Sequence, residues 1–311
     1  MTPTIFLSPG TAARWTSRAR RRAAAILGCL ALALPVVAAT PSVAPAAAPG
    51  GFTGINPVRV LDTRASGQGP CLQPGATRDV LVAGLAGIPA DAAGVAFNIT
   101  AVGATLPGFV TAWPHGGARP LASTVNYGPG TVTPNNAVLA VGSAQRIDLF
   151  ANQGCPHVII DVVGWFAAGT PVSGGFHGTA PTRLLDTRTT GGCVASPRSL
   201  VVAGLAGVPS GAGAVALNVT VTNAKSAGFL TVYPSGNPLP LASNLNFTAK
   251  QTVANNVTVA VSSDGQVDLY ANSGCPDAIV DVVGYFSAGA PNGGGFQGIA
   301  PVRVFDTRGI Y

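Results

Sequence analysis

Glutamate is absent from this sequence of 311 residues, lysine occurs only as Lys225 and Lys250, and there is a single methionine. Only 9% of the residues are charged, and all 11 acidic residues are aspartate. Glutamate, lysine and methionine are good helix formers, so their scarcity disfavours helices. The 41 glycines, together with many valines, threonines and asparagines, favour short strands joined by turns. The composition therefore predicts an all-β protein.

The longest apolar run, AAAILGCLALALPVVAA at 23–39, directly follows a group of arginines. A basic segment, an apolar run and a small-residue cleavage site are typical of a secretory signal peptide. We therefore predict a signal peptide at 1–39, followed by a Pro/Ala linker at 40–50. A membrane anchor is the alternative, but the run is shorter than 18 residues and contains Pro35. We expect a secreted or cell-surface protein without a membrane span after cleavage.

The signal peptide also accounts for most of the net charge of +6. Five of the 17 Lys and Arg lie in residues 1–39, which contain no acidic residue, so the rest of the chain has 12 basic and 11 acidic residues. Proteins that bind nucleic acid through the phosphate backbone need clustered positive charge. We therefore expect no nucleic-acid partner.

The chain is duplicated, because residues 80–168 align with 200–288 at a constant offset of 120 positions. Each copy reads as eight short strand-like runs separated by glycine, proline and asparagine. We predict two tandem antiparallel β-sandwich or barrel-like domains of about 120 residues each, at 51–172 and 173–292. A β-propeller-like arrangement is the alternative. The Gly- and Pro-rich segments that precede each domain are expected to be flexible or partly extended connections.

Four cysteines remain once Cys29 leaves with the signal peptide. An even number of cysteines in an exported chain indicates disulfides, and four allow three connectivities. Because Cys155 and Cys275 are equivalent, the duplication favours one internal bond in each repeat. The predicted pairs are Cys71–Cys155 and Cys193–Cys275. A metal site would need closely spaced ligand pairs, and the spacing of these cysteines offers none.

A short motif of the form RxxDTR, found in PVRVLDTR and PTRLLDTR, occurs three times. In a strand, its aspartate and second arginine lie on the same face and can pair. We favour a structural Asp–Arg clasp at a strand end, because charges this sparse are usually paired. A recognition site for an anionic group is the alternative. The motif residues are Arg59, Asp62 and Arg64, then Arg183, Asp186 and Arg188, then Arg303, Asp306 and Arg308.

Histidine, the side chain that acid–base catalysis most often uses, is not shared between the repeats. The three histidines outside the signal peptide are replaced in the other repeat by Ser235, Asp277 and Gln297. Glutamate is absent and the cysteines are expected to be oxidised, so aspartate is the remaining acid–base group. We assign no catalytic, cofactor or metal residue and predict a non-enzymatic protein. The acids shared by both repeats are Asp148, Asp161, Asp268 and Asp281.

The whole chain after the signal peptide resembles a repeat module of exported actinobacterial proteins. The pattern PxRLLDTR, LNVT, GxLTVYP, SNLNF and IxDVxGYF carries this resemblance, with repeat 2 matching nearly throughout and repeat 1 departing at 149–151 and at Trp165. Such modules occur alone or beside hydrolase and peptidase domains. The resemblance implies an accessory role at the cell envelope and supplies no catalytic residues.

Three functional hypotheses follow from these observations. We favour a structural or binding module whose partner is a cell-wall glycan or another secreted protein. A secreted inhibitor or regulator of a hydrolase is the second hypothesis, and a hydrolase that uses aspartate is the third. We also expect residues 293–311, which contain the third motif, to form a strand that caps domain 2. A truncated third repeat and a strand donated to another molecule are the alternatives.

Overall fold

The computed structural model of the protein describes residues 49–169, 172–289, 295–299, 301 and 304. The predicted signal peptide and most of the third motif lie outside these residues. Sixteen β-strands and one short 3₁₀ turn, Ser143–Gln145, make up the regular structure of the described part, which contains no α-helix. The scarcity of helix-forming residues accounts for this outcome. No helix in the described part is long and apolar enough to span a membrane.

The first eight strands form module 1, residues 52–166, in which two four-stranded antiparallel sheets pack face to face. Sheet A has the order β1-β8-β3-β6, and sheet B has the order β2-β7-β4-β5. The strands are β1 Phe52–Asp62, β2 Thr77–Leu81, β3 Gly94–Val102, β4 Gly108–Pro114, β5 Val125–Tyr127, β6 Val132–Ala140, β7 Arg146–Ala151 and β8 His157–Phe166.

The next eight strands form module 2, residues 176–287, with the same topology. Sheet C has the order β14-β11-β16-β9, and sheet D has the order β10-β15-β12-β13. The prediction of tandem antiparallel sandwiches is confirmed, and the propeller alternative is wrong. The strands are β9 Phe176–Asp186, β10 Arg198–Val201, β11 Ala212–Thr222, β12 Gly228–Pro234, β13 Leu245–Phe247, β14 Val253–Ala260, β15 Gln266–Ala271 and β16 Asp277–Ser287.

Each module has an apolar core between its two sheets, built from alternate residues of the strands. In β11, for example, Val215, Leu217 and Val219 are fully buried in the core of module 2. The opposite face of β11 is also covered: Ala214 and Ala216 are buried against the core of module 1. Sheet C therefore has two buried faces, one towards sheet D and one towards module 1.

The segment that joins the modules is held by backbone hydrogen bonds. Phe176 N donates to Gly50 O over 2.9 Å, and Gly174 N donates to Ser287 O over 3.0 Å. The Phe176 ring packs 4.5 Å from the Phe166 ring and 5.3 Å from the Phe286 ring. Apolar packing and paired backbone groups therefore hold the described residues of this segment, and the expectation of a flexible or partly extended connection stays a prediction.

The described residues beyond module 2 repeat this arrangement. Phe296 N donates to Gly174 O over 2.7 Å, and the Phe296 ring lies 4.7 Å from the Phe286 ring. Residues 295–299 form no strand. Arg303, Asp306 and Arg308 lie outside the described residues, so the capping strand at 293–311 stays a prediction.

Candidate functional site

The first RxxDTR motif, residues 59–64, is called the first DTR motif. It lies at the end of β1, where its charged side chains form ion pairs. Arg64 donates to both carboxylate oxygens of Asp62, over 2.8 and 2.7 Å. Arg59 reaches across to β8 and donates to Asp161 over 2.8 and 3.1 Å. The hydrogen bonds from Arg64 hold the pKa of Asp62 well below its usual range. Every charge of this motif therefore has an opposite charge beside it.

The second motif, at the end of β9, has the same pairs in a more buried setting. Arg188 donates to Asp186, and Arg183 donates to Asp281 over 2.8 and 3.2 Å. The Arg183 and Asp281 side chains are 27% and 0% exposed, against 51% and 24% for their equivalents in module 1. Burial raises the pKa of Asp281, and Arg183 opposes that rise. The extra burial arises because module 1 covers this face of module 2, and Arg183 also donates to Leu121 O of module 1.

Both predicted disulfides are confirmed. Cys71 is bonded to Cys155 and Cys193 to Cys275, with Cα–Cα distances of 5.4 and 5.3 Å. Each bond ties the loop after the DTR motif to the segment before the last strand of its own module. The disulfides therefore brace the two modules separately.

The shared acids do not converge on one site. Asp148 contacts His115 Nδ1 over 2.7 Å, whereas its equivalent in module 2, Asp268, accepts a hydrogen bond from Ser199 over 2.7 Å. Asp161 and Asp281 are held by arginines, as described above. In residues 49–169 and 172–289, no group of three His, Cys or Asp side chains is close enough to hold a metal ion.

Asparagines that both repeats share join the two modules. Asn135 Nδ2 donates to Asn218 Oδ1 over 3.1 Å, and Asn256 N donates to Asn135 Oδ1 over 3.1 Å. Asn218 in turn donates to Ser123 O. Asn135 and Asn218 are 4% and 5% exposed. Because buried amides must be hydrogen-bonded, this network specifies how the modules dock.

A cleft of about 560 Å³ opens beside this network, between the two modules. Module 1 contributes β4, β5, β7 and the loop at 119–123. Module 2 contributes β9, β11, β16, the turn at Arg188, and Thr252, the residue before β14. The volume falls within the range of small-molecule sites in proteins. The cleft is lined by Phe109, Thr111, Arg119, Pro120, Leu121, Ala122, Ser123, Asn126, Phe150, Arg183, Arg188, Thr220, Thr222, Thr252 and Ile279.

The module 1 wall of the cleft combines an aromatic pair with hydrogen-bond donors. The Phe109 and Phe150 rings lie 6.5 Å apart, and the Arg119 guanidinium stands 3.9 Å above the Phe150 ring. Ser123 Oγ donates to Asn126 Oδ1 over 3.0 Å, which leaves the Asn126 amide nitrogen as a donor. This wall can contact a flat apolar surface and hydrogen-bond acceptors at the same time.

The module 2 wall contains a buried hydroxyl without a partner. Thr220 is 1% exposed, and its Oγ1 has no hydrogen bond among the described residues. Its equivalent, Thr100, accepts a hydrogen bond from Asn98 Nδ2 over 3.0 Å. In module 2 the equivalent amide, Asn218, has turned towards module 1. Docking of the modules therefore removes the partner of Thr220.

The sequence pointed to only some of the residues that line the cleft. Arg183 and Arg188 were singled out and line the cleft, whereas Arg59 and Arg64 lie on module 1, away from it. Phe109, Arg119 and Thr220 were missed. One signal was available for Arg119, because its equivalent in the second repeat is Leu239. An arginine that appears in one copy only is a candidate for a role that the copies do not share.

Comparisons with known proteins identify no family. No protein-family model matches the chain, and no curated protein sequence matches it. A solved structure of the N-terminal CBM22-1-CBM22-2 tandem domain of Xyn10C from Paenibacillus barcinonensis is similar at 12% identity, over 79% of this chain and 100% of that chain. Its TM-score is 0.21, so this likeness carries no argument about fold or function.

Proposed function

We propose that the protein is a non-catalytic extracellular binding module, and that the cleft between its two modules holds part of a cell-envelope glycan. The observation that carries this proposal is the mixed lining of the cleft. Phe109 offers an apolar ring face, while Arg119 and Asn126 offer donors beside it. Sugars present apolar C–H faces and rows of hydroxyl acceptors, and this combination matches both.

The chemistry around the cleft supports binding rather than turnover. Glycoside hydrolysis by the usual route needs two carboxyl groups across the scissile bond. Within the described part of the chain, no aspartate lines the cleft. Asp186 and Asp281, the aspartates in contact with the cleft arginines Arg188 and Arg183, are engaged in ion pairs with them. A bound glycan would therefore find donors in the cleft and no free acid–base pair.

An extracellular location fits the covalent structure. The two disulfides favour an oxidising compartment, since cytosolic thiols are normally kept reduced. The resemblance of the chain to exported actinobacterial repeat modules fits the same proposal. The hypothesis of a secreted regulator of a hydrolase is the competing function.

A cell-wall pull-down with matched variants tests the proposal. The mature chain is mixed with purified actinobacterial cell wall, and the retained fraction is measured for wild type, Phe109→Ala and Phe229→Ala. Phe229 is the equivalent ring in module 2, packed 6.4 Å from Tyr270, so both variants lose a similar aromatic contact. We expect retention of wild type and Phe229→Ala and loss of retention for Phe109→Ala.

Two results would contradict the proposal. One is a wild-type protein that the cell wall does not retain, and the other is equal retention of the two alanine variants. Inhibition of a wall hydrolase or protease by the wild-type protein, with no glycan retention, would favour the regulator. Release of reducing sugar from the wall would show an enzyme instead.

A further inference from the structure

Two of the three arginines that line the cleft are paired with aspartates of the described chain, and the third is not. Arg183 is paired with Asp281 and Asp186, and Arg188 is paired with Asp186. Arg119 forms no ion pair with any residue that the structure describes, and it rests on the Phe150 ring instead. A guanidinium over an aromatic face keeps its N–H groups at the edge available for an acceptor. The cleft therefore has one positive charge that the described part of the protein does not neutralise.

In the described part of the chain, two arginines and an amide of the cleft also have N–H groups that are free to donate. Arg119 contributes guanidinium N–H groups and no acceptor, and the Asn126 oxygen already accepts a hydrogen bond from Ser123 while the Asn126 amide nitrogen stays a donor. The Arg188 Nη1 group has no acceptor among the described residues, since only its Nε and Nη2 contact Asp186. A ligand that complements these groups must supply several acceptors and a negative charge.

We infer that the glycan bound in this cleft is anionic, a saccharide that carries a carboxylate or a phosphate. The anionic group binds Arg119 and the Asn126 amide, and the face of an adjoining sugar ring lies on Phe109. This inference rests on the proposed function and adds the chemical class of the ligand. The second repeat has Leu239 in place of Arg119, so the charge belongs to this cleft and is not a general property of the module.

The test compares charged and neutral forms of the same saccharide by isothermal titration calorimetry on the mature chain. The carboxylate pair is a galacturonate trisaccharide and its methyl ester. The phosphate pair is a phosphorylated mannose trisaccharide and its dephosphorylated form. We expect the protein to bind at least one anionic form and to bind it more tightly than its neutral partner. Whichever pair shows the difference identifies the anionic group.

Two variants assign that difference to the cleft. Arg119→Leu, which copies the residue of the second repeat, is expected to weaken binding of the anionic form roughly 10- to 100-fold, the range for a hydrogen bond to a charged group. Binding of a neutral form should change little. Arg146→Leu removes the same charge from a surface pair with Asp79 and should leave binding unchanged. Thermal melting of each variant confirms that it is folded.

The outcomes separate this inference from the proposed function. Equal binding of charged and neutral saccharides, or an Arg119→Leu variant that binds like wild type, would overturn the anionic class and leave a glycan-binding cleft in place. Binding of no saccharide, together with no retention on the cell wall, would overturn both. Loss of binding in Arg119→Leu and Arg146→Leu alike would show a general charge effect and would also contradict the inference.

Discussion

Equivalent residues of the two repeats have acquired different partners, and Asn98 and Asn218 show this most directly. Asn98 donates to Thr100 two residues along its own strand. Asn218 donates to Ser123 O and accepts a hydrogen bond from Asn135, both in module 1. The local sequences, FNIT and LNVT, are nearly the same. The difference arises because module 1 covers Asn218, and its amide must bond to what covers it.

This difference predicts opposite effects of the same substitution in the two repeats. Thr220→Val removes a buried hydroxyl that has no partner, so it should stabilise the protein by about 1 kcal/mol. Thr100→Val removes the acceptor of Asn98 and should destabilise it by about 1 kcal/mol. Chemical denaturation of both variants measures the change. Destabilisation by Thr220→Val as large as that by Thr100→Val would mean that the Thr220 hydroxyl has a partner after all.

The paired motifs predict a dependence of stability on pH. Hydrogen bonds from Arg188 lower the pKa of Asp186 in the folded protein, whereas the unfolded chain keeps a value of about 3.9. The stabilising contribution is therefore complete above pH about 4 and is lost as the pH falls through the lowered folded value. Asp186→Asn should cost about 1 to 2 kcal/mol at pH 7, for loss of a hydrogen-bonded charge pair.

The check is a series of denaturation curves between pH 2 and pH 7 for wild type and Asp186→Asn. The difference between the two proteins should shrink as the pH falls below about 4. The structural clasp predicts this loss of stability, whereas a pure recognition site predicts lost ligand binding with an unchanged melting temperature. A difference that stays constant down to pH 2 would show that the Asp186 charge does not stabilise the fold.

Strand β9 contacts both modules. It is the outer strand of sheet C and pairs with β16, and its first residues also lie against β6 of module 1. Close approach at this point depends on Gly178, where a Cβ atom would overlap the Cβ of Ala140 and lie 2.8 Å from its Cα. Glycine is required there by backbone proximity rather than by backbone conformation.

A pair of glycine substitutions tests this contact. Gly178→Ala should destabilise the protein by about 1 to 3 kcal/mol, because the added methyl must push the modules apart. Gly54→Ala, at the equivalent position of β1, would place its Cβ no closer than 3.7 Å to the Phe52 ring and should change stability by less than about 0.5 kcal/mol. Thermal melting measures the change in stability of each variant. Equal effects would show that the methyl at Gly178 is accommodated without moving the modules.

At the scale of the whole molecule, apolar side chains from the outer face of sheet C join the core cluster of module 1. Val283 and Phe286 of module 2 are buried against residues of the module 1 core. Neighbouring repeats that share buried surface unfold together when the interface is strong. The disulfides add a separate constraint within each module, with sequence separations of 84 and 82 residues. In the loop-entropy account, each disulfide contributes about 4 to 5 kcal/mol to the free energy of unfolding.

We therefore expect one calorimetric unfolding transition for the mature chain, with the van't Hoff enthalpy close to the calorimetric enthalpy. Val283→Asn places a polar group in the junction and should split or broaden that transition. Val163→Asn, at the equivalent, partly exposed position of module 1, is the control and should keep a single transition. Two resolved transitions in the wild-type protein would show that the buried interface does not couple the unfolding of the two modules.

The amino-acid sequence by itself determined the fold class, the duplication and the disulfide pairs, because these depend on local propensity, alternation along each strand and the equivalence of the repeats. Thr220 lies more than 100 residues from Phe109 and Arg119 in the chain, and nothing in the neighbourhoods of these residues marks them as a group. Only the tertiary structure decided that they meet, because the docking of one sandwich on the other depends on contacts between distant side chains. That docking turns Asn218 towards module 1, leaves Thr220 without its partner and creates the cleft.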